Sequence, residues 1–199
     1  GGRFVAALFD SQGGVDGLNY AWGVAVSPEG NQVYVAGQND HSLTQFDRDA
    51  ATGQLTYVQT HYDDVAGVDG LRWAVDVAIS EDGEHVYVTG AADSAIVLFQ
   101  RDVLTGQLTF VERLTDSAGG GGALMGAMDV ALSPDGRYAY VAARSDNAVS
   151  VFSRNLQTGR LTFVQNIADS VNLSNTEALT VSPDGAYVYV AGTYGNALV

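Results

Sequence analysis

The 199-residue sequence contains no cysteine, no lysine and only three prolines. Without cysteine, neither disulfides nor thiolate-bound metal sites can contribute to the fold. The nine arginines are outnumbered by 23 acidic residues, 18 of them aspartate, and the formal net charge is −14. Binding to nucleic acid or to an anionic membrane surface depends on basic patches, so the sequence predicts neither as a partner.

Long apolar runs and helical periodicity are missing as well. No stretch approaches the roughly 18 apolar residues of a membrane-spanning helix and no signal peptide is visible, so membrane insertion is not predicted. The dense aspartate keeps the surface hydrated, and it also suits a saline or calcium-containing exterior. We therefore expect an extracellular, periplasmic or cell-surface location.

What the sequence does contain is one motif in four copies. The copies are Ser27-Pro28-Glu29-Gly30, Ser80-Glu81-Asp82-Gly83, Ser133-Pro134-Asp135-Gly136 and Ser182-Pro183-Asp184-Gly185. The first three are 53 residues apart and the last interval is 49, because the loop after Asp169 is shorter. This period divides a single domain, residues 1–199, into repeats of about 1–52, 53–105, 106–158 and 159–199.

Each repeat has four short segments with the alternation of β-strands. An apolar run precedes the motif, a tyrosine strand follows it, a third strand ends on Phe46, Phe99 or Phe152, and a fourth follows a Thr-Gly turn. Four antiparallel strands in about 50 residues are typical of a β-propeller blade. The sequence thus predicts an all-β propeller of four-stranded antiparallel blades, with a β-solenoid as the weaker alternative.

The motif Val-Ser-Pro-Asp-Gly-x-x-x-Tyr-Val-(Ala/Thr)-Gly, followed by Thr-Gly-x-Leu-Thr-Phe-Val, resembles the YVTN-type repeats of bacterial and archaeal surface proteins and of the lactonase (6-phosphogluconolactonase-like) family. The resemblance covers essentially the whole chain. It implies a propeller fold and, more weakly, a function, because such repeats occur in proteins with and without enzymatic activity.

The ends of the chain do not coincide with blade boundaries. Arg3–Leu8 matches a fourth strand with no third strand before it, and Asn196–Val199 matches the beginning of a third strand. Propellers often close by completing one terminal blade with a strand from the other end. A four-bladed ring, an eight-bladed ring of two chains, and a piece of a longer protein all satisfy this offset, and the last is favoured. The two edges are predicted sites of self-association or of binding to a protein partner.

Aspartates recur in the inter-blade loops, which the family architecture places on one face together with the loops between second and third strands. The recurring set is Asp10, Asp63, Asp116 and Asp169. Such residues form Asx turns, and that structural role is the favoured interpretation. The alternative is a calcium site at Asp63, Asp64 and Asp69, where hard oxygen ligands lie beside flexible glycines without a complete EF-hand pattern. No other cofactor is predicted.

Asp76 and Asp129 begin innermost strands at positions where the other repeats have Gly23 and Ala178. They either line the mouth of the central channel or accept hydrogen bonds from loop amides, the commoner role. Trp22 and Trp73 stand near the same rim. An aromatic ring beside carboxylates is typical of a sugar or cation site, but packing in the joint between blades is the favoured interpretation.

The sequence contains none of the catalytic motifs for which we looked. His41, His61 and His85 lack zinc-like spacing, and there is no nucleophile elbow or phosphate loop. The near-identical blades also argue against an active site. The sequence therefore predicts a non-enzymatic extracellular or cell-surface scaffold that binds protein or glycan through its acidic loop face. The alternative is a lactonase-like hydrolase of a sugar lactone, with only Arg72 and Arg144 as cations near that face.

Overall fold

The computed structural model of the protein describes residues 5–195 and 197–199, and this part contains fifteen β-strands and no helix. Accordingly, none of the described residues belongs to a helix that could cross a membrane. Strands β1–β4 span Ala21–Val26, Gln32–Gly37, Ser42–Arg48 and Leu55–Tyr62; β5–β8 span Ala74–Ile79, His85–Gly90, Ala95–Arg101 and Leu108–Thr115. Strands β9–β12 span Ala127–Leu132, Tyr138–Ala143, Ala148–Arg154 and Leu161–Ala168; β13–β15 span Thr176–Val181, Val188–Gly192 and Ala197–Leu198.

The strands form four separate antiparallel sheets in simple sequential order, three of four strands and one of three. Each first hairpin turns at the glycine of the repeated motif, and these glycines have positive φ angles of 69–75°. A β-carbon is disfavoured in that conformation, which explains why glycine ends every copy of the motif. The predicted all-β propeller with four-stranded blades is confirmed.

The blades follow one another around an axis, with their first strands innermost. Strand β1 contacts β5, β5 contacts β9, and β9 contacts β13. Apolar clusters fill each joint; Leu43, Leu71 and Phe99 are completely buried between the first two blades. The outer side of β1 has no such cover, and Val24 and Val26 are 64% and 53% exposed. Within the described residues, β1 and β13 share no contact comparable to those between successive blades.

The two predicted edges are described only in part. Val5–Leu8 forms no strand and is exposed, and Arg3 and Phe4 lie outside the described residues. At the other end, Ala197 and Leu198 pair with β14 as the two-residue strand β15, while Asn196 lies outside the described residues. Association through these edges stays a prediction.

Buried arginines join the first blade to the second and the second to the third, on the face opposite the inter-blade loops. Arg101 is 1% exposed, and its Nε donates to the Tyr34 hydroxyl of the preceding blade at 2.9 Å. Its terminal nitrogens donate to Gln32 Oε1 at 2.6 Å and to the Gly83 carbonyl at 2.8 Å, and they reach the Glu29 carboxylate. The recurring arginine at the end of the third strand is therefore buried in the blade joint and is not a surface residue.

Arg154 repeats this arrangement one blade later with a histidine in place of the glutamine. Its Nε donates to the Tyr87 hydroxyl at 2.7 Å, and its Nη2 donates to Nδ1 of the buried His85 at 2.8 Å. Because a guanidinium only donates, the neutral ring accepts at Nδ1 and carries its proton on Nε2. Burial, and then the charge of Arg154, lowers the pKa of His85.

We predict that this joint loses stability in acid and that the substitution His85→Gln reduces the loss. Below the unfolded pKa of about 6.5, the unfolded chain binds a proton that the folded chain does not bind until lower pH. The free energy of unfolding therefore falls as pH decreases through this range, by up to about 1.4 kcal/mol per pH unit from this one proton. Urea unfolding from pH 7 to 5 measures it.

Gln32 supplies the matched control, because it holds the same place beside Arg101 as His85 does beside Arg154. The reciprocal substitution Gln32→His should add acid sensitivity of the same sign to the joint between the first two blades. Equal pH dependence of the wild type and both variants would contradict the assignment.

Candidate functional site

The inter-blade loops and the turns between second and third strands meet on one face, and aspartates hold them together. In each of three blades, an aspartate of the turn accepts a backbone amide of the loop at 2.8–3.1 Å. The pairs are Asp40 with Asn19, Asp93 with Arg72, and Asp146 with Met125. This face carries the predicted concentration of carboxylates.

The recurring loop aspartates also act as hydrogen-bond acceptors. Asp10 and Asp63 each accept two amides from seven and eight residues further along the chain, at 2.8–3.0 Å, and Asp116 accepts the Leu124 amide at 2.7 Å. Asp169 differs, since its loop is shorter and it accepts the amides of Val171 and Asn172. These contacts match the structural interpretation, although only Asp169 forms the short-range Asx turn that the sequence predicts.

The residues of the predicted calcium site are only partly together. Carboxylate oxygens of Asp63, Asp69 and Asp93 lie within 4.8 Å of one another. Asp64 is exposed and does not belong to this group. Asp69 also forms an ion pair with Arg113 at 2.5 Å. Burial, together with the charges of Asp63 and Asp69, raises the pKa of Asp93. Calcium at Asp63, Asp64 and Asp69 stays a prediction; the residue that the structure groups with Asp63 and Asp69 is Asp93.

All four innermost strands are bulged near their first residues. The register against the second strand slips at Trp22–Gly23, at Val75–Asp76, at Met128 and at Glu177. The residue just before each strand is left-handed, with φ angles of 54–67° at Tyr20, Trp73, Gly126 and Asn175. Bulges redirect side chains and are frequent beside active sites. Residue types differ from blade to blade at these positions, where the backbone is the same.

Asp76 and Asp129 lie on these bulged segments, and each connects its strand to the next blade. Asp76 Oδ2 accepts the Val130 amide at 3.1 Å, and Asp129 Oδ2 accepts the Leu179 amide at 2.7 Å. The structure thus gives them the hydrogen-bond role that the sequence allows. Burial, a hydrogen bond with Asp76 and the charge of Asp76 together raise the pKa of Asp129 to about 7. A carboxyl group with such a pKa exchanges a proton at neutral pH.

An arginine and a glutamate lie at the joint between the last two blades. Arg144 follows β10, and its Nε donates to Asn175 Oδ1 at 2.9 Å and lies 3.6 Å from Glu177 Oε1. The Asn175 amide group donates to Glu177 at 2.7 Å, and the Asn175 backbone amide donates to Asn147 Oδ1 at 2.8 Å. The guanidinium is therefore held in place, yet its side chain is 42% exposed.

The ladder places two groups on neighbouring strands, the pair Asp76–Asp129 and the set Arg144, Asn175 and Glu177, and we name them together the junction site. Asp129 pairs with Ala142, two residues before Arg144, and its carboxylate meets β13 two residues after Glu177. The first group offers a carboxyl group whose pKa is raised to about 7 by burial and by the Asp76 carboxylate, and the second offers an accessible guanidinium. Such a set can move a proton and stabilise a developing oxyanion.

The two tryptophans are not packed in the joints between blades. Trp22 and Trp73 are 53% and 51% exposed, so the packing interpretation was wrong. Trp22 lies against the ring of Tyr20, with centroids 5.7 Å apart. The Trp73 backbone nitrogen lies 3.2 Å from Nδ1 of His41 in the preceding blade. Both indoles are available on the rim that the bulges form.

Comparison with known proteins decides the family. The sequence profile described as "Lactonase, 7-bladed beta-propeller" matches residues 24–120 and 115–199. The chain belongs to the lactonase family. A 6-phosphogluconolactonase of Pectobacterium carotovorum is 32% identical over 77 residues, which are 39% of this chain and 23% of that protein.

Solved structures of the lactonase family have the same fold over most of this chain. The periplasmic gluconolactonase of Pseudomonas aeruginosa superimposes with a TM-score of 0.68 at 26% identity, over 86% of this chain and 43% of that one. A candidate 6-phosphogluconolactonase of Bacteroides uniformis gives a TM-score of 0.75 at 19% identity, over 89% and 49%. The chain therefore spans about half the length of these structures.

These findings contradict the prediction of a non-enzymatic scaffold. The relatives are named 6-phosphogluconolactonase and gluconolactonase, which supports the lactonase alternative instead. The blades are near-identical in their core strands but diverge at the bulges, so their similarity does not exclude an active site. Repeat-wide similarity comes from the core strands, while the positions of Asp76, Asp129 and Glu177 hold glycine, alanine or large apolar residues in other blades.

Sequence reasoning missed Asn175 and Glu177 and did not place Arg144 beside a carboxylate. The available signal was the blade-by-blade alignment itself. Aligned with Glu177 are Trp22, Val75 and Met128, and aligned with Asn175 are Tyr20, Trp73 and Gly126. Such variation within an otherwise regular repeat marks positions that packing does not determine.

Proposed function

We propose that the protein hydrolyses a sugar lactone at the junction site. The observation that carries this proposal is the carboxyl group of Asp129, whose pKa burial and Asp76 raise to about 7, on the strand paired with the one that leads to the accessible guanidinium of Arg144. Opening a lactone requires a base for the attacking water, a positive group for the carbonyl oxygen and an acid for the ring oxygen that leaves. Two residues of the junction site would cover these tasks, Asp129 as the base and then the acid, and Arg144 as the positive group.

In the proposed reaction, ionised Asp129 accepts a proton from water as the water oxygen attacks the lactone carbonyl carbon. Arg144 donates hydrogen bonds to the carbonyl oxygen as it becomes negative. The tetrahedral intermediate collapses, the bond from the carbonyl carbon to the ring oxygen breaks, and protonated Asp129 returns the proton to that oxygen. The products are a sugar hydroxyl and a carboxylic acid, which ionises in solution, so Asp129 ends as it began.

The other members of the junction site are positioning residues in this proposal. Asp76 raises the proton affinity of Asp129 through its charge and hydrogen bond. Glu177 and Asn175 hold the guanidinium of Arg144 at the rim. A fixed guanidinium needs no reorganisation during the reaction, which is the source of its catalytic value.

The direct test measures acid release from D-glucono-1,5-lactone in a pH-stat, corrected for the uncatalysed rate. The expected result is a rate proportional to protein concentration and saturable in the lactone. A rate no greater than that of buffer, from protein shown to be folded by circular dichroism, would contradict the proposal.

Replacing Arg144 with glutamine should lower kcat/KM for the lactone by about 10²–10³, the usual effect of removing an oxyanion donor. The matched control is Arg137→Gln, since Arg137 is an exposed arginine of the same blade on the opposite face. That control should retain wild-type activity. Equal activity of the two variants would remove Arg144 from the mechanism.

The same similarity supports a location outside the cytoplasm. The Pseudomonas aeruginosa structure, 26% identical, is named a periplasmic enzyme. A net charge of −14 is consistent with that environment. Fractionation of the native host, followed by immunoblotting, tests this part of the proposal.

A further inference from the structure

The charges around the junction site are mainly negative, and its one arginine lies beside a glutamate. Arg144 lies 3.6 Å from the carboxylate of Glu177. The site also contains Asp76 and Asp129, whose carboxylates already accept the Val130 and Leu179 amides. A substrate reaching this position therefore meets more negative than positive charge.

The surrounding face strengthens the same field. Arg113, another arginine that reaches this face, is paired with Asp69 at 2.5 Å. Arg72 is the third arginine on this face. Among the described residues, carboxylates are grouped in the loops of the first blade and in those of the second. The groups are Asp10, Asp16 and Asp40 in the first blade and Asp63, Asp69 and Asp93 in the second. Walls of one charge sign focus the field in a cleft and repel ions of the same sign.

We infer that the substrate is an uncharged sugar lactone and that the acidic face discriminates against a phosphorylated one. This inference rests on the proposed function and deepens it. A phosphate dianion is bound in proteins by arginine forks, lysines or helix N-termini. The chain has no lysine, the described residues form no helix, and two of the three arginines on this face are engaged with carboxylates.

The same charge distribution assists the release of product. Hydrolysis turns a neutral lactone into a sugar acid that is anionic at neutral pH, so repulsion appears only after the ester bond has broken. The neutral substrate enters without penalty, and the anion leaves a negative face. Added salt should weaken this discrimination, because the Debye length falls from about 10 Å at 0.1 M to about 3 Å at 1 M.

The test compares kcat/KM for D-glucono-1,5-lactone and for its 6-phosphate at low ionic strength. We expect the neutral lactone to be preferred by roughly tenfold or more, the size of one or two screened charge interactions. Raising the salt concentration to 1 M should bring the ratio of the two kcat/KM values closer to one. A preference for the phosphorylated lactone would overturn the inference and leave the proposed function standing, whereas hydrolysis of neither lactone would overturn both.

A variant pair assigns the effect to the junction site. Glu177→Gln removes the carboxylate that occupies Arg144, so activity on the phosphorylated lactone should rise severalfold relative to the neutral one. Glu81→Gln makes the same charge change at an exposed position in the β5–β6 turn on the opposite face. It should leave the ratio unchanged. If both variants change the ratio equally, or neither does, charge at the junction site does not set the selectivity.

Discussion

Replacing Asp129 with asparagine should lower kcat for lactone hydrolysis by about 10²–10⁴, the range for loss of a general acid–base group. Asparagine has nearly the same shape, and its side-chain oxygen can still accept the Leu179 amide that Asp129 accepts at 2.7 Å. The connection from β9 to β13 therefore persists. Steady-state kinetics, together with circular dichroism, measure the loss of activity in a folded protein.

The same variant should be at least as stable as the wild type above pH 7. The pKa of Asp129 is raised to about 7 by burial and by Asp76, so the folded chain holds this proton between about pH 4 and 7 while the unfolded chain has released it. The wild type therefore loses stability as pH rises through that window, and the variant lacks this contribution. A less active and clearly less stable variant at pH 8 would indicate a purely structural aspartate.

Asp184→Asn is the matched control for this experiment. Asp184 belongs to the fourth copy of the repeated motif and accepts the Ala186 amide, on the face opposite the junction site. The change of charge and shape is the same, but the residue is remote from the proposed chemistry. We expect wild-type kcat, and a comparable loss of kcat in both variants would mean that general charge effects explain the result.

Truncating Arg101 to alanine should destabilise the protein by about 3–5 kcal/mol, the range for breaking a buried charged contact. The guanidinium is 1% exposed and connects the first two blades through Tyr34, Gln32 and Glu29. Its loss leaves a cavity and removes hydrogen bonds on both sides of the joint. Equilibrium urea unfolding measures the effect, and lysine should not restore it because one ammonium cannot match the fork.

Arg48 is the matched control, because it occupies the same position in the first blade. In the described structure it is half-buried and donates to the Gly30 carbonyl at 2.8 Å, with no blade before it. In this 199-residue chain, Arg48→Ala should cost about 1 kcal/mol or less, because the Arg48 side chain stays partly in water. Equal losses for Arg48→Ala and Arg101→Ala would show that burial in the joint is not what makes the contact strong.

The fold was predictable because it is repeated and locally encoded. Alternation gives the strands, and the motif glycine at each first hairpin has the positive φ that the turn requires. The buried role of Arg101 was not predictable in the same way. Its position near a strand end suggested the surface, and only the stacking of one blade on the next covers it. A long-range contact of this kind, 67 residues from Tyr34, leaves no local pattern.

The junction site was harder to predict for a physical reason. Asp76 and Asp129 stand out in the sequence because the other two repeats have glycine and alanine at this position. The position of Glu177 instead depends on a bulge that shifts the register of β13 by one residue. A period-two pattern assigns such a residue to the wrong face. The pairing of Arg144 with Glu177 also crosses from one blade to the next.

The most direct test of this account is the pH dependence of kcat/KM for D-glucono-1,5-lactone, in the wild type and in Asp129→Asn. Wild-type activity should rise with an apparent pKa near 7 and reach a plateau, since the ionised form of Asp129 accepts the proton. In the variant, the activity is lost and this transition with it. An unchanged transition near pH 7 in a fully active Asp129→Asn protein would contradict the central claim.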